Sequence, residues 1–316
     1  MTTEAPPIDR RPGLDRLRGF AAALVVCHHV GLREPLTGSA LDGPLPNRLL
    51  QAITHNGYEA VFIFFVLSGY LITRRELDRT AGHLGALDLR AFVRRRATRI
   101  GPLLLALVVV LSAMHLMQVP EFTIGRPGQS LGGAVFAALG LHLHVYEART
   151  GYLPGAWDVL WSLSIEELFY LGFPLVARLL GGGPAFGAAA WALAISLPFQ
   201  HAALAGKGIA LEKAGGPAAA ALAMGVFAAW ARGQARAPPA APLGAVGGAG
   251  LLACLLAGPE IWGRVHNGLL LLLTLSTAAL VVALDRPGPA RARGPLVAFG
   301  RLSYEIYLTH MFVVLA

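Results

Sequence analysis

Arg18 and His29 stand at the two ends of one apolar run, Arg18-Gly-Phe-Ala-Ala-Ala-Leu-Val-Val-Cys-His-His29. At about 100° and 1.5 Å per residue on an α-helix, they point within about 20° of each other and lie roughly 16 Å apart along the axis. An imidazole can take a proton from a hydroxyl or carry an acyl group briefly. A guanidinium holds carboxylate or phosphate through its forked donors. Both groups are costly inside an apolar segment unless they face a cavity or a partner, so their shared face marks a candidate site. His28 points about 100° away from His29 and is expected to do a different job.

Four other stretches carry groups of the same kind. Arg95 and Arg99 form an i, i+4 pair whose like charges repel on one helix face, an arrangement suited to water, lipid phosphate or a bound polyanion. Trp161-Ser-Leu-Ser-Ile-Glu-Glu-Leu-Phe-Tyr170 sets Glu166 and Glu167 in an apolar helix, about 100° apart, so one of them at most faces a common cavity. Phe64-Phe-Val-Leu-Ser68-Gly69-Tyr70 places a small Ser-Gly pair among aromatic rings and predicts a close helix crossing. Ser68 has no Gly-x-Ser-x-Gly elbow around it. His310, in Ser303-Tyr-Glu-Ile-Tyr-Leu-Thr-His310, is a second buried-histidine candidate.

The elements that must position these groups follow from composition. Apolar residues make up 55% of the 316 residues and charged residues 14%, and the mean hydropathy is +0.58. Long charge-poor runs recur throughout, so the expected fold is all-α, a polytopic transmembrane helical bundle of about ten spans. The spans are expected near 16–32, 58–73, 99–118, 130–146, 159–180, 184–201, 215–231, 243–257, 266–284 and 297–316. Segments 130–146 and 243–257 are short and Gly-rich and could be partly re-entrant. Gly181-Gly182-Gly183-Pro184, Pro238-Pro239 and Pro287-Gly288-Pro289 divide the spans. Gly244, Gly247, Gly248 and Gly250 are expected to let helices pack closely.

The net charge of +8 gathers chiefly between Arg74 and Arg99. In so apolar a chain it reads as membrane topology and anionic-lipid contact, not nucleic-acid binding. The first half then places the amino terminus inside, with residues 1–13 as a cytoplasmic tail before a membrane domain over 14–316. Arg286, Arg291 and Arg293 fit that orientation poorly. The final span looks short, and the carboxy-terminal end is expected to be cut off within it. Cys27 and Cys254 lie in separate apolar stretches, so neither a disulfide framework nor a metal site is expected.

The pattern resembles the acyltransferase-3 family of integral-membrane O-acyltransferases. The similarity rests on Arg18 through His29, Phe64 to Ile72, Arg95-x-x-x-Arg99 with Ile100 and Pro102, Trp161 to Tyr170, and Leu302 to His310, all in order. Leu168 departs from it, standing where Gln is common. The resemblance implies transfer of an acyl group, often acetyl, from acyl-CoA to a hydroxyl of a surface glycan, lipid-linked sugar or secondary metabolite. His29 would be general base or transient acyl carrier, with Arg18 and Glu166 beside it in the catalytic set. Arg95 and Arg99 would contact the donor, and Trp161, Ser68, Tyr70 and His310 complete the substrate-binding set. No tightly bound cofactor is implied, only acyl-CoA as a substrate, and the expected location is the inner (plasma) membrane, multi-pass. The alternative is a polytopic transporter or exporter using the intramembrane charges as a substrate path.

Overall fold

A computed structural model describes residues 11–36, 38–41, 43–234, 239–289 and 292–315. The expected tail, Pro238 and Arg291 therefore fall wholly or largely outside the described residues. Among those described, the chain forms helices and no β-strand. Each expected segment is helical, but ten crossings are not what length and apolarity give. Three helical stretches, Leu89–Leu116, Gly155–Leu180 and Ile209–Gln234, are long and apolar enough to cross a membrane, or five spans if two bent pairs are counted. The bent pairs are Asn47–His55 with Gly57–Arg79, at 56°, and Ala240–Leu256 with Gly258–Val265, at 95°.

Local chemistry accounts for most of the breaks. Segment 130–146 splits into Leu131–Leu139 and Leu143–Thr150, where Gly140 ends the first helix and Leu141 takes a positive φ of 61°. Segment 184–201 splits at Ser196, just before Pro198, whose ring has no amide to donate. The last segment splits into Pro295–Arg301 and Ser303–Val314. The first helix, Pro12–Arg33, carries Asp15, Arg16 and Arg18 in its opening turns, and these charges set it apart from an ordinary apolar span. Proline at its first position loses no helical hydrogen bond, because that amide has no partner there anyway.

Two backbone crossings hold the site's walls. Gly69 and Gly225 let helix Gly57–Arg79 meet helix Gly215–Gln234, for a Cβ on either would lie 2.0 Å from the carbonyl oxygen of Leu222 or Val66. The expected Ser-Gly crossing is therefore present. Gly19 and Gly300 do the same between the first helix and Pro295–Arg301, with Leu296 and Asp15 carbonyls 1.9 and 1.7 Å from the added carbons. Any side chain at these positions would force the helices apart. Farther away, Gly247 and Gly250 face Ser276 and Leu280 on helix Gly268–Leu284, while Gly248 meets nothing.

Candidate active site

Five helices enclose a cavity of about 910 Å³, counted with the open space at its mouth. The first helix supplies Arg18, and helix Gly57–Arg79 supplies Ser68 and Arg75. Helix Leu89–Leu116, started by Asp88 accepting from the Ala91 amide at 3.0 Å, brings Arg96 and Arg99. Helix Leu160–Leu180 contributes Ser162, Glu166 and Tyr170 at successive four-residue steps, hence on one face. It stops at Gly181, whose φ of 67° is the left-handed cap a glycine adopts freely. Tyr304 and Tyr307 of the last helix close the wall.

The electrostatics are lopsided. Arg18, Arg75, Arg96 and Arg99 all line the cavity, and among the described residues none makes an ion pair. Arg96 lies over the rings of Tyr170 and Phe92, 5.4 and 5.6 Å from their centroids, and its Nε is buried without a hydrogen-bond partner. Glu166 is the acidic group in the wall. Its carboxylate accepts from Ser68 Oγ at 2.8 Å and from Tyr170 Oη at 3.0 Å. Glu167 lies outside the lining, with Oε2 buried and unpartnered. Excess guanidinium around a partly apolar space calls for an anionic guest.

His29 sits on the first helix outside this lining, toward the far end from Arg18. Its Nδ1 donates to the Val25 carbonyl at 2.9 Å and lies 3.3 Å from Nε2 of His310. The two rings meet edge to face with centroids 4.9 Å apart. His28 does turn elsewhere, donating from Nδ1 to the Thr54 carbonyl at 2.8 Å. The short helix Asn47–His55 that presents Thr54 has no counterpart among the expected spans.

The structure thus brings Arg18, Arg99, Ser68 and Glu166 to one cavity and pairs His29 with His310 beside it. It sends three other candidates elsewhere. Arg95 pairs with buried Glu76 at 3.1 Å, together with Arg79 at 2.6 Å. Tyr70 is fully buried and donates to Asp285 at 2.5 Å, a carboxylate also held by Arg11 and Arg232. Trp161 packs on Phe65 and under the ammonium of Lys213, 4.9 Å from the ring. Among the described residues, no group of His, Cys, Asp and Glu could hold a metal ion.

Arg75, Arg96, Ser162 and Tyr307 enter the site without having been singled out by sequence. Arg75 had a signal, since it lies seven residues from Ser68 and so on nearly the same helix face. Arg96 had none that separates it from Arg95, because both are within a turn of Arg99. What divides them is Glu76, a partner on another helix.

The family described as an acyltransferase domain matches residues 11–316. The O-acetyltransferase OatA of Staphylococcus aureus (strain NCTC 8325 / PS 47) is 33% identical over 183 residues, 54% of this chain and 25% of that protein. A putative O-acetyltransferase of Staphylococcus aureus (strain COL) is 30% identical over 173 residues, 52% of this chain and 24% of that protein. The matched stretch spans about a quarter of the length of these curated relatives. No solved structure matches the chain.

Proposed function

The chain belongs to the acyltransferase-3 family, and from that premise we propose that it is a multi-pass inner-membrane O-acyltransferase that moves an acetyl group from acetyl-CoA to a hydroxyl. The observation that carries this reading is the cavity itself: four guanidinium groups without ion-pair partners among the described residues, around one hydrogen-bonded carboxylate. Coenzyme A brings phosphates that would neutralise them, and the two relatives are named O-acetyltransferases. The acceptor we favour is a sugar hydroxyl of a surface glycan or lipid-linked saccharide, with a secondary metabolite second.

The chemistry follows from what a thioester needs. It is already activated, so positioning and removal of the acceptor proton are most of what the protein must supply. His29 takes the hydroxyl proton as the oxygen attacks the thioester carbonyl. The carbon–sulfur bond then breaks, and the thiolate leaves with the proton returned from His29. Arg18, Arg75, Arg96 and Arg99 hold the donor's phosphates, and Glu166 orients hydroxyl groups near the reacting carbon. Arg18 lies roughly 16 Å from His29 by helical rise, too far to share its proton, which divides donor binding from proton transfer.

The test is acetyl-CoA consumption by the purified full chain in lipid nanodiscs, with and without a hydroxyl acceptor, in wild type and His29→Ala. Wild-type turnover with loss in the variant supports the reading. Full activity in a stably inserted His29→Ala protein, or solute uptake without any turnover, overturns it. Mass spectrometry of surface glycans with and without the gene would identify the acceptor.

A further inference from the structure

His29 and His310 come from opposite ends of the chain and meet at 3.3 Å, and the surrounding carbonyls fix where their protons are. A carbonyl oxygen only accepts. The Val25 carbonyl, 2.9 Å from Nδ1 of His29, therefore requires a proton on that nitrogen. The Tyr307 and Ile306 carbonyls, 2.9 and 3.2 Å from Nδ1 of His310, require one there as well. Both rings, when neutral, then carry bare lone pairs on Nε2. The lone pair of His310 faces the Nδ1–H of His29, which is shared between Val25 and His310. The Nε2 of His29 has no partner among the described residues and is not among the sealed, unpartnered atoms. It is the one free basic nitrogen of the pair that can reach a substrate.

His310 is itself held firmly. It is 5% exposed and is locked by the two carbonyls of its own helix. One turn back, Tyr307 lines the cavity and hydrogen-bonds Ser162 at 2.6 Å. The same short helix thus ties the cavity wall to the ring that contacts His29.

We propose that His310 is a positioning residue for His29: its Nε2 lone pair, with the Val25 carbonyl, holds His29 in the Nδ1–H tautomer with its Nε2 free, and steadies the imidazolium formed when that nitrogen takes a proton. His310 neither gains nor loses a proton in the cycle. The proton passes from the acceptor hydroxyl to His29 Nε2 and on to the departing thiolate. This role is the one a carboxylate plays behind a histidine base, performed here by a neutral imidazole, which costs less inside an apolar bundle than a second charge. Activity as evidence rests on the acyl-transfer reading above, but orientation of His29 can be read without it.

The experiment compares wild type, His310→Phe, His310→Gln and His29→Ala, each as full-length protein in nanodiscs. Phenylalanine keeps a ring and removes the acceptor; glutamine restores an acceptor near the Nε2 position. Two quantities are read: acetyl-CoA turnover, and the rate at which diethyl pyrocarbonate modifies His29, followed by mass spectrometry. His310→Phe is expected to lower kcat about 10- to 100-fold, the equivalent of one hydrogen bond to a charged group, with KM for acetyl-CoA within about twofold. His29 modification should slow in parallel, and His310→Gln should recover most of both. Unchanged turnover and labelling in His310→Phe overturns the proposal, as does a rise in KM alone. A folded His310→Gln protein as inactive as His29→Ala overturns it even if the Phe variant does not accumulate. If wild type consumes no acetyl-CoA, the acyl-transfer reading fails, while the labelling rates still decide the role of His310.

Discussion

Two of the charge groups within the apolar bundle are built on opposite principles. Around Lys213, charge is closed upon itself. The ammonium is 1% exposed, with Asp158 at 2.7 Å, Glu212 at 3.5 Å and Glu147 at 3.9 Å, and the rings of Trp161 and Tyr152 cover it. Tyr152 donates to Glu212, and the Leu153 amide donates to Glu147. Around the cavity, four arginines converge with no ion pair among the described residues, and the one carboxylate present is held by hydroxyl donors. A buried charge with all its partners is explained by folding; removing one partner leaves the others stranded. A group of like charges without partners is not explained by folding alone. The contrast teaches that what marks the site is unpaired charge rather than charge as such.

The largest break in that contrast is expected from Lys213→Met. It leaves the Asp158 carboxylate without its cation at 2.7 Å and should lower stability by about 3–5 kcal/mol, measured as thermal unfolding in detergent. Arg96→Gln, by the same measurement, should leave stability within about 1 kcal/mol. In acetyl-CoA kinetics the order reverses. Arg96→Gln should raise KM about tenfold, as expected for one lost charge-assisted hydrogen bond, with the gap to wild type narrowing in high salt.

Arg95→Gln sharpens the comparison further. Arg95 is bound to Glu76, so the expected outcome is a stability loss of about 1 kcal/mol and a KM close to wild type. An Arg95 variant that weakens the donor as much as Arg96→Gln would remove the distinction. The closed group is also broken by pH. Burial, with Asp158 adding to it, pushes the Glu147 carboxyl up to about 9, against the pull of Lys213. A carboxyl raised above its unfolded value stabilises the fold fully below that value, near 4.5, and loses the contribution as pH rises through its folded one. Stability should therefore decline from about pH 5 to pH 9, and Glu147→Gln should flatten the slope.

The helical class, the Gly69 crossing and the segments of the long apolar helices were legible because hydropathy, glycine and proline act locally. The breaks at Gly140–Leu141 and at Leu302 were not, for a single glycine inside an apolar run is tolerated in a helix and Leu302 is not itself a breaker. The face shared by Arg18 and His29 was plain from spacing, and Glu166 was separable from Glu167 only as one of two. The exchange of Arg95 for Arg96 in the cavity wall was hidden because it depends on Glu76, on another helix. The meeting of His29 with His310 was equally hidden. It joins residues 281 positions apart, a relation that no local period contains.

Whether the unpaired arginines hold the donor is decided by equilibrium binding of coenzyme A to the full chain in nanodiscs, comparing wild type with the Arg96→Gln/Arg99→Gln double variant at constant salt. Wild type should bind saturably, with an affinity about 100-fold lower in a double variant that melts at the wild-type temperature, two charge-assisted hydrogen bonds having been lost. Equal affinity in the two proteins, or no binding by folded wild type, would contradict it.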